Sequence, residues 1–190
     1  MKTQNRFSIL VIDMLEDMIN QGRPFQMPPE FKQNIVPNIR RFLDKSRRNR
    51  IPIIYISDVH RPDDPEFSDF QSGVEHAISG TKGAQVIEEV YPQKGDFIVN
   101  KRRFSGFYAT DLDLLLKDLG VKSVVLVGRP TNVCVLYTAA DAYSRGYSVY
   151  AIADCLGSKT EKYHKMGLAN MFFAEIINSE DFFKKFGGMN

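Results

Sequence analysis

Apolar residues along the chain fall into six short runs, each closed by a polar or turn-forming residue. Continuous apolar runs of this kind are typical of parallel strands that are covered on both faces. Between most of them, apolar residues recur at helical spacing, as Ile35, Ile39 and Phe42 do. The runs cover residues 7–13, 52–57, 96–100, 123–127, 148–153 and 175–178.

The alternation of strands and helices predicts a single α/β domain over residues 1–190. Its middle layer is expected to be a mostly parallel sheet of about six strands, with helices on both faces in a three-layer arrangement. Right-handed crossovers then bring the carboxyl ends of the strands to one edge of the sheet. Functional side chains are expected at that edge.

Local signals indicate where helices begin and end. Asn34 is a candidate N-cap of the first long helix, and Ser158 with Glu161 forms a capping-box pattern before a later one. That later helix is expected to run to about Phe173. Residues 84–91 are expected to form a short helix, and the chain is expected to fray after its last strand.

Composition narrows the function classes. With 43% hydrophobic residues and a formal charge of +2, the chain has the composition of a soluble globular protein and no basis for binding nucleic acid. No apolar run approaches the roughly 18 residues of a membrane span, and no signal-peptide pattern precedes the first strand. A cytoplasmic protein is expected. Cys134 and Cys155 lie in different strand-helix units and are expected to be free thiols.

Reactive side chains follow the predicted strands. Asp13, Asp58 and Lys101 each end a run, and Cys134 stands in the first turn of the helix after the fourth run. A helix start and a neighbouring cation are expected to lower the thiol pKa, and a carboxylate can take the thiol proton and pass it to a leaving nitrogen. Taken singly, each residue also has a structural explanation: a capping acid, a solvated lysine, a core cysteine.

Three stretches carry a resemblance to a known family: LVIDMLEDMI around Asp13, KRRFSGFYATDLDLLLKDLG from Lys101, and VVLVGRPTNVCVLYTAADAYSRGY around Cys134. In this order they resemble the isochorismatase-like cysteine hydrolases, which include nicotinamidases, N-carbamoylsarcosine amidases and ureidoacrylate amidohydrolases. The resemblance implies that the three residues form a catalytic triad. In such enzymes the cysteine attacks an amide carbonyl, ammonia or an amine leaves, and water releases the acid.

A second signal lies in the long loop of residues 59–82, which is rich in Pro, Asp and Gly and shows no periodicity. Asp58, His60, Glu66 and His76 could form a mixed nitrogen and oxygen site for Zn, Fe or Mn, although a histidine in a polar loop usually only hydrogen-bonds. The pattern resembles the metal loop of nicotinamidases, which implies Asp58, His60 and His76 as ligands; Glu66 takes a position that is histidine in some relatives. No organic cofactor is expected.

The turn before the cysteine departs from the family pattern. The resemblance implies a cis peptide four residues before Cys134, whose amide binds the oxyanion together with the cysteine amide. Here that pair is Arg129 and Pro130, and proline has no N–H to donate. Three explanations remain open: the Thr131 or Asn132 amide replaces it, activity is weak, or the substrate differs.

The substrate pocket also departs from nicotinamidases, which commonly read Asp, any residue, Gln, Asn, Asp, Phe where residues 13–18 read DMLEDM. Lys159 falls near the position where N-carbamoylsarcosine amidases are expected to hold a substrate carboxylate, and it could equally be a solvated residue. Phe104, Phe107 and Tyr108 are candidates to line an acyl pocket, and aromatic residues in such numbers are as often core.

Together these observations predict a cysteine-dependent amidohydrolase that cleaves a small amide or N-carbamoyl compound through a thioester acyl-enzyme. A small-molecule substrate is expected, with no nucleic acid or membrane partner, and the resemblance implies a homo-oligomer, either a dimer or a tetramer. One alternative is a catalytically weak or inactive member that binds a small molecule or a partner. Another is a vinyl ether hydrolase of the isochorismatase type, although isochorismate-cleaving members lack the loop chemistry.

Overall fold

A six-stranded sheet forms the middle layer of the computed structural model, which describes residues 6–69 and 73–186. The strands are β1 (Phe7–Ile12), β2 (Ile53–Asp58), β3 (Phe97–Lys101), β4 (Ser123–Gly128), β5 (Ser148–Leu156) and β6 (Glu175–Ile177). They lie in the order β3-β2-β1-β4-β5-β6, and every neighbouring pair is parallel. The predicted parallel sheet is confirmed.

The central strands β1, β2 and β4 are buried along their whole length. Their continuous apolar sequences suit this position because helices cover both faces of a parallel sheet. After the edge strand β3 the chain crosses back to place β4 beside β1, so the strand order reverses between these two. At such a reversal the connections diverge and leave a crevice outside the carboxyl ends of the strands.

Helices cover both faces of the sheet, as predicted. One apolar cluster contains Phe42 and Phe182, and the other, on the opposite face, contains Leu116 and Ala139. None of the helices in the described ranges is long and apolar enough to cross a membrane. The helices are α1 (Glu16–Ile19), α2 (Val36–Arg48), α3 (Glu66–Asp69), α4 (Leu112–Asp118), α5 (Leu136–Ser144), α6 (Glu161–Asn170) and α7 (Ser179–Phe186).

A π-helical turn precedes each of two long helices, Phe31–Ile35 before α2 and Thr131–Val135 before α5. Asn34 lies inside the first of these turns, so its prediction as an N-cap is wrong. The reason is that the chain is already helical there, with the Phe31 N–H bonded to the Pro28 carbonyl at 2.9 Å.

The short helix predicted over residues 84–91 is also wrong. The structure has two separate 3₁₀ turns, Lys82–Ala84 and Glu88–Val90. Between them Val86 forms an antiparallel bridge with Leu15. This long-range pairing uses backbone groups that a continuous helix would need for itself.

The cap of α6 is Thr160 and not Ser158, because the Thr160 hydroxyl accepts an N–H from the first turn at 3.2 Å. Ser158 instead donates to Asn132 Oδ1 at 2.8 Å, which ties the start of α6 to the turn before α5. The helix ends at Asn170, short of the predicted Phe173.

The segment after β6 forms the helix α7, so the predicted frayed end is wrong over these residues; residues 187–190 lie outside the described ranges. The helix α7 forms because its apolar side packs against the core. Phe182 is 0% exposed, and its ring lies 5.4 Å from Phe7 and 5.5 Å from Phe42. Packing against the core stabilises a helix too short to persist alone.

We expect Phe182→Ala to lower the free energy of unfolding by about 3–5 kcal/mol, because it removes a fully buried ring from the contact between α2, α7 and the sheet. Urea unfolding followed by circular dichroism measures this. Phe172→Ala is the control, since Phe172 is 89% exposed and its loss should cost no more than about 0.5 kcal/mol. Equal effects of the two substitutions would contradict the packing of α7.

Candidate active site

Buried polar side chains meet where the first four strands end. Asp13 follows β1, Asp58 and Lys101 end β2 and β3, and Arg129 follows β4. All four are buried, as is Cys134 in the π-helical turn after them. The backbone of Asp13 takes a positive φ of 51°, a left-handed conformation that aspartate tolerates better than most residues.

The structure brings the three predicted catalytic residues together. Lys101 Nζ lies 3.1 Å from Asp13 Oδ2 and 3.6 Å from Cys134 Sγ. The Cys134 thiol is close enough to the Asp13 carboxylate for the charge of Asp13 to act on it. Asp13 Oδ1 accepts the backbone N–H of Asp58 at 2.9 Å, which holds the carboxylate in place.

Lys101 is a buried cation among acidic groups. Burial alone would lower the pKa of Lys101, but the negative charges of Asp13 and Asp58 raise it above its ordinary value. Its Nζ is 3.6 Å from Asp58 Oδ1, so one ammonium group faces both carboxylates. Lys101 therefore stays protonated across the physiological pH range.

The thiol does not follow the prediction of a lowered pKa. Burial and the charge of Asp13 raise the pKa of Cys134 well above its ordinary value, and Lys101 offsets only part of this. Burial also raises the pKa of Asp13, which the attraction of Lys101 opposes and the repulsion of Asp58 assists. The resting thiol therefore keeps its proton, and a carboxylate more basic than usual stands next to it to receive the proton.

Asp58, His60 and His76 form a compact set of metal-type ligands, with one ligand atom of each within 4.8 Å of the others. His60 Nε2 lies 3.3 Å and His76 Nε2 3.9 Å from the Asp58 carboxylate. Within the described residues, neither His60 nitrogen nor Asp58 Oδ1 makes an aligned hydrogen bond. His76 Nδ1 lies 2.9 Å from the Val74 carbonyl, and donation to it leaves Nε2 free to bind an ion. These residues fit a divalent metal.

Glu66 lies on the other side of His60. Its Oε2 is 3.6 Å from His60 Nδ1, and Asp64 Oδ2 is 3.5 Å from the same nitrogen. Arg103 pairs with Glu66, and Arg102 Nη1 lies 3.1 Å from Asp64. The structure therefore does not bring Glu66 into the Asp58, His60 and His76 set. It places Glu66, together with Asp64, where a carboxylate can orient the ring of His60.

A cleft of about 290 Å³ opens above Cys134. Met18, Phe25, Lys159 and Tyr163 are among its walls. A larger cleft of about 520 Å³ beside α2 contains none of the catalytic or metal-type side chains and carries no chemistry of this kind.

The three aromatic residues predicted to line an acyl pocket lie in different environments. Phe104 lines the cleft above Cys134, whereas Phe107 is buried in the apolar core and Tyr108 is exposed. The wall residue Phe25 was not predicted. It lies in the irregular stretch before α2, where no periodicity indicates which face a side chain takes.

The turn between β4 and the cysteine is built on close backbone approach. A Cβ at Gly128 would lie 2.2 Å from the Ile12 carbonyl oxygen, so only glycine lets the ends of β4 and β1 meet in this way. The Arg129–Pro130 peptide bond that follows is cis. The Thr131 N–H donates to the Gly157 carbonyl at 3.0 Å, so it does not replace the missing Pro130 N–H.

The fold and the position of this polar cluster are those of an isochorismatase-like α/β hydrolase. The chain belongs to the isochorismatase family, since the model of the Isochorismatase domain matches residues 8–181. The resemblance drawn from the motifs is confirmed, and the protein is an isochorismatase-family hydrolase.

Solved structures of the same family are similar over most of the chain. An isochorismatase-like hydrolase from Alkaliphilus metalliredigens is 38% identical, with a TM-score of 0.89 over 95% of this chain and 98% of its own. N-carbamoylsarcosine amidase from Thermoplasma acidophilum is 30% identical, with a TM-score of 0.80 and coverages of 92% and 97%. Pyrazinamidase from Pyrococcus horikoshii, in complex with zinc, is 25% identical, with a TM-score of 0.81 and coverages of 91% and 99%.

We expect Lys101→Met to destabilise the fold by about 3–5 kcal/mol near neutral pH, because two buried carboxylates lose their cation. Without Lys101 the pKa of Asp13 rises further above its unfolded value. A raised folded-state pKa contributes stability at low pH that is lost as pH rises, so the variant should be least impaired at about pH 4.5 and most at about pH 7.5.

Denaturant unfolding at the two pH values measures this dependence. Lys165→Met is the matched control, because Lys165 is exposed and, among the residues that the structure describes, pairs with Glu161 on the same helix face. It should change stability by no more than about 0.5 kcal/mol at either pH. A Lys101→Met deficit that grows as pH falls would contradict the assigned electrostatics.

Proposed function

We propose that this protein is a cysteine-dependent amidohydrolase that cleaves a small amide or N-carbamoyl compound through a thioester acyl-enzyme. The observation that carries the proposal is the position of Lys101 Nζ, 3.1 Å from Asp13 and 3.6 Å from the Cys134 sulfur. All three side chains are buried, and Asp13 and Cys134 line the cleft. A nucleophile, a base and an orienting cation are thus within reach of one another.

The reaction follows from these contacts. Cys134 Sγ attacks the carbonyl carbon while its proton passes to Asp13, and the carbonyl oxygen takes the negative charge. Asp13 then gives the proton to the leaving nitrogen, and ammonia or an amine departs from the thioester. Asp13 next takes a proton from water, whose oxygen attacks the thioester and releases the acid, and the proton returns to the sulfur.

Asp58, His60 and His76 would hold a divalent metal such as Zn, with Fe or Mn also compatible with nitrogen and oxygen ligands. A bound ion would supply a Lewis acid at the cleft, able to polarise a substrate atom. Glu66 and Asp64 would orient the His60 ring from its other nitrogen. The zinc complex of the Pyrococcus pyrazinamidase supports this assignment.

The residues that line the cleft are compatible with two types of substrate. Phe25, Phe104 and Tyr163 offer apolar and aromatic contacts to a planar group, and Lys159 offers a cation to a carboxylate. The second feature suits an N-carbamoyl acid, and the likeness to the Thermoplasma N-carbamoylsarcosine amidase agrees with it. The absence of an N–H at Pro130 favours one alternative function for this protein, that of a family member with weak activity.

We expect the protein to release ammonia from at least one member of a panel of nicotinamide, ureidoacrylate and N-carbamoyl amino acids. Cys134→Ala should lower kcat by on the order of 1,000-fold or more, because no other group in the cleft can form the thioester. Cys155→Ala is the matched control and should keep wild-type turnover, since Cys155 lies in β5 away from the cleft. Equal rates in wild type and Cys134→Ala would contradict the proposal.

We expect the purified protein to bind about one divalent ion per chain, measured by elemental analysis after equilibrium dialysis against zinc. His60→Ala and His76→Ala should lower zinc affinity by on the order of 100-fold, and Glu66→Gln by about 10-fold, because Glu66 acts only through His60. His164→Ala provides the control histidine, which bonds Thr131 instead. Equal losses in all three histidine variants would contradict the site.

A further inference from the structure

Arg129 is a buried cation that forms no ion pair with residues 6–69 or 73–186. The residue is only 8% exposed, and its Nε makes no hydrogen bond within the described residues. No described carboxylate lies within ion-pair distance of its guanidinium, in contrast to Arg102 and Arg103 nearby in the fold. A buried charge without a partner is costly, so such a residue is usually retained to meet an anion.

Arg129 lies at the reacting centre. Arg129 lines the same cleft as Cys134 and Asp13. Burial lowers the pKa of Arg129, and the negative charges of Asp13 and Asp58 oppose this only in part. An anion that forms on a substrate atom bonded to Cys134 would therefore be close to Arg129.

The main chain of the turn offers few donors for that anion. Pro130 has no N–H, and the Thr131 N–H is already bonded to Gly157. The Asn132 nitrogen is covered by α6, where a Cβ placed at Gly167 would lie only 2.7 Å from it. Val133 and Val135 both donate to the Pro130 carbonyl, at 3.1 and 3.3 Å. At most one amide of the turn, that of Cys134 itself, is left for the oxyanion.

We propose that the Arg129 guanidinium donates to the oxyanion in place of the Pro130 N–H. When the Cys134 sulfur bonds to a carbonyl carbon, its proton moves to Asp13 and the electron pair of the C=O double bond moves to oxygen. Arg129 then holds that oxygen through a charge-assisted hydrogen bond. The inference rests on the proposed nucleophilic role of Cys134, and it makes Arg129 a catalytic residue for any carbonyl substrate, charged or neutral.

A neutral aldehyde tests the inference without knowledge of the substrate. The sulfur of Cys134 adds to benzaldehyde to give a hemithioacetal, whose oxygen lies where the oxyanion would form. Its affinity is measured as protection of Cys134 from iodoacetamide, in a Cys155→Ala background. Arg129→Met should weaken benzaldehyde binding by on the order of 100-fold. Alkylation by iodoacetamide alone should change far less, because that reaction forms no oxyanion.

Unchanged benzaldehyde affinity in Arg129→Met would overturn the inference. So would a loss in Asn132→Ala without one in Arg129→Met, which would assign the role to the Asn132 side-chain amide. Arg129→Met should unfold at the wild-type temperature or above it, because it removes an unpaired buried charge. Should Arg129→Met not fold, Arg129→Gln replaces it in the same comparison.

Measurements of turnover provide a second test of the role of Arg129. Arg129→Met should lower kcat/KM by on the order of 100-fold for a neutral amide and for a carboxylate-bearing one alike, and added guanidinium chloride should partly restore Arg129→Ala. A loss confined to the carboxylate-bearing substrate would overturn the inference and make Arg129 a carboxylate anchor. If no amide is hydrolysed but Arg129→Met still binds benzaldehyde more weakly than the wild type does, the proposed function fails and the role of Arg129 stands.

Discussion

The ammonium group of Lys101 holds the reacting end of the molecule together. It lies 3.1 Å from Asp13, 3.6 Å from Asp58 and 3.6 Å from the Cys134 sulfur, with its side chain withdrawn from water. Two buried carboxylates this close would repel each other without it. The same burial keeps the pKa of Asp13 raised, so under the proposed function the carboxylate that Lys101 stabilises is a stronger base beside a protonated thiol. The positive charge of Lys101 thus has both a structural and a chemical role.

Topology explains why residues so distant in sequence reach that ammonium. The strand order reverses between β1 and β4, and the chain leaves these two strands in different directions. Gly128 lets the end of β4 press against Ile12, which sets Arg129 and the π-helical turn beside Asp13. Gly167 lets α6 approach the other side of that turn. The turn that carries Cys134 is therefore fixed from both sides, and its amides are largely committed before any substrate enters.

Asp58 links the triad to the metal-type ligands. The Asp58 carboxylate faces Lys101 as well as both histidines. A change of charge among the triad residues therefore changes the electrostatic potential at His60 and His76, and the reverse also holds. His60 is held in turn between Asp58 and the Asp64 and Glu66 pair, and the arginines that neutralise this pair lie further out. Arg129 differs from those arginines because it forms no ion pair within the described residues.

Local sequence determined much of this protein. The continuous apolar runs predict β1, β2 and β4, and the positions of Asp13, Asp58 and Lys101 at the ends of the first three strands predict where these side chains meet. Periodicity and strand-end position are local properties, which explains their success. Tertiary contacts decided the rest. Phe182 turns the chain end into a helix, Val86 pairs with Leu15 instead of joining one, and Glu66 faces the far nitrogen of His60. The thiol pKa and the unpartnered charge of Arg129 likewise depend on burial, which exists only once distant segments have packed together.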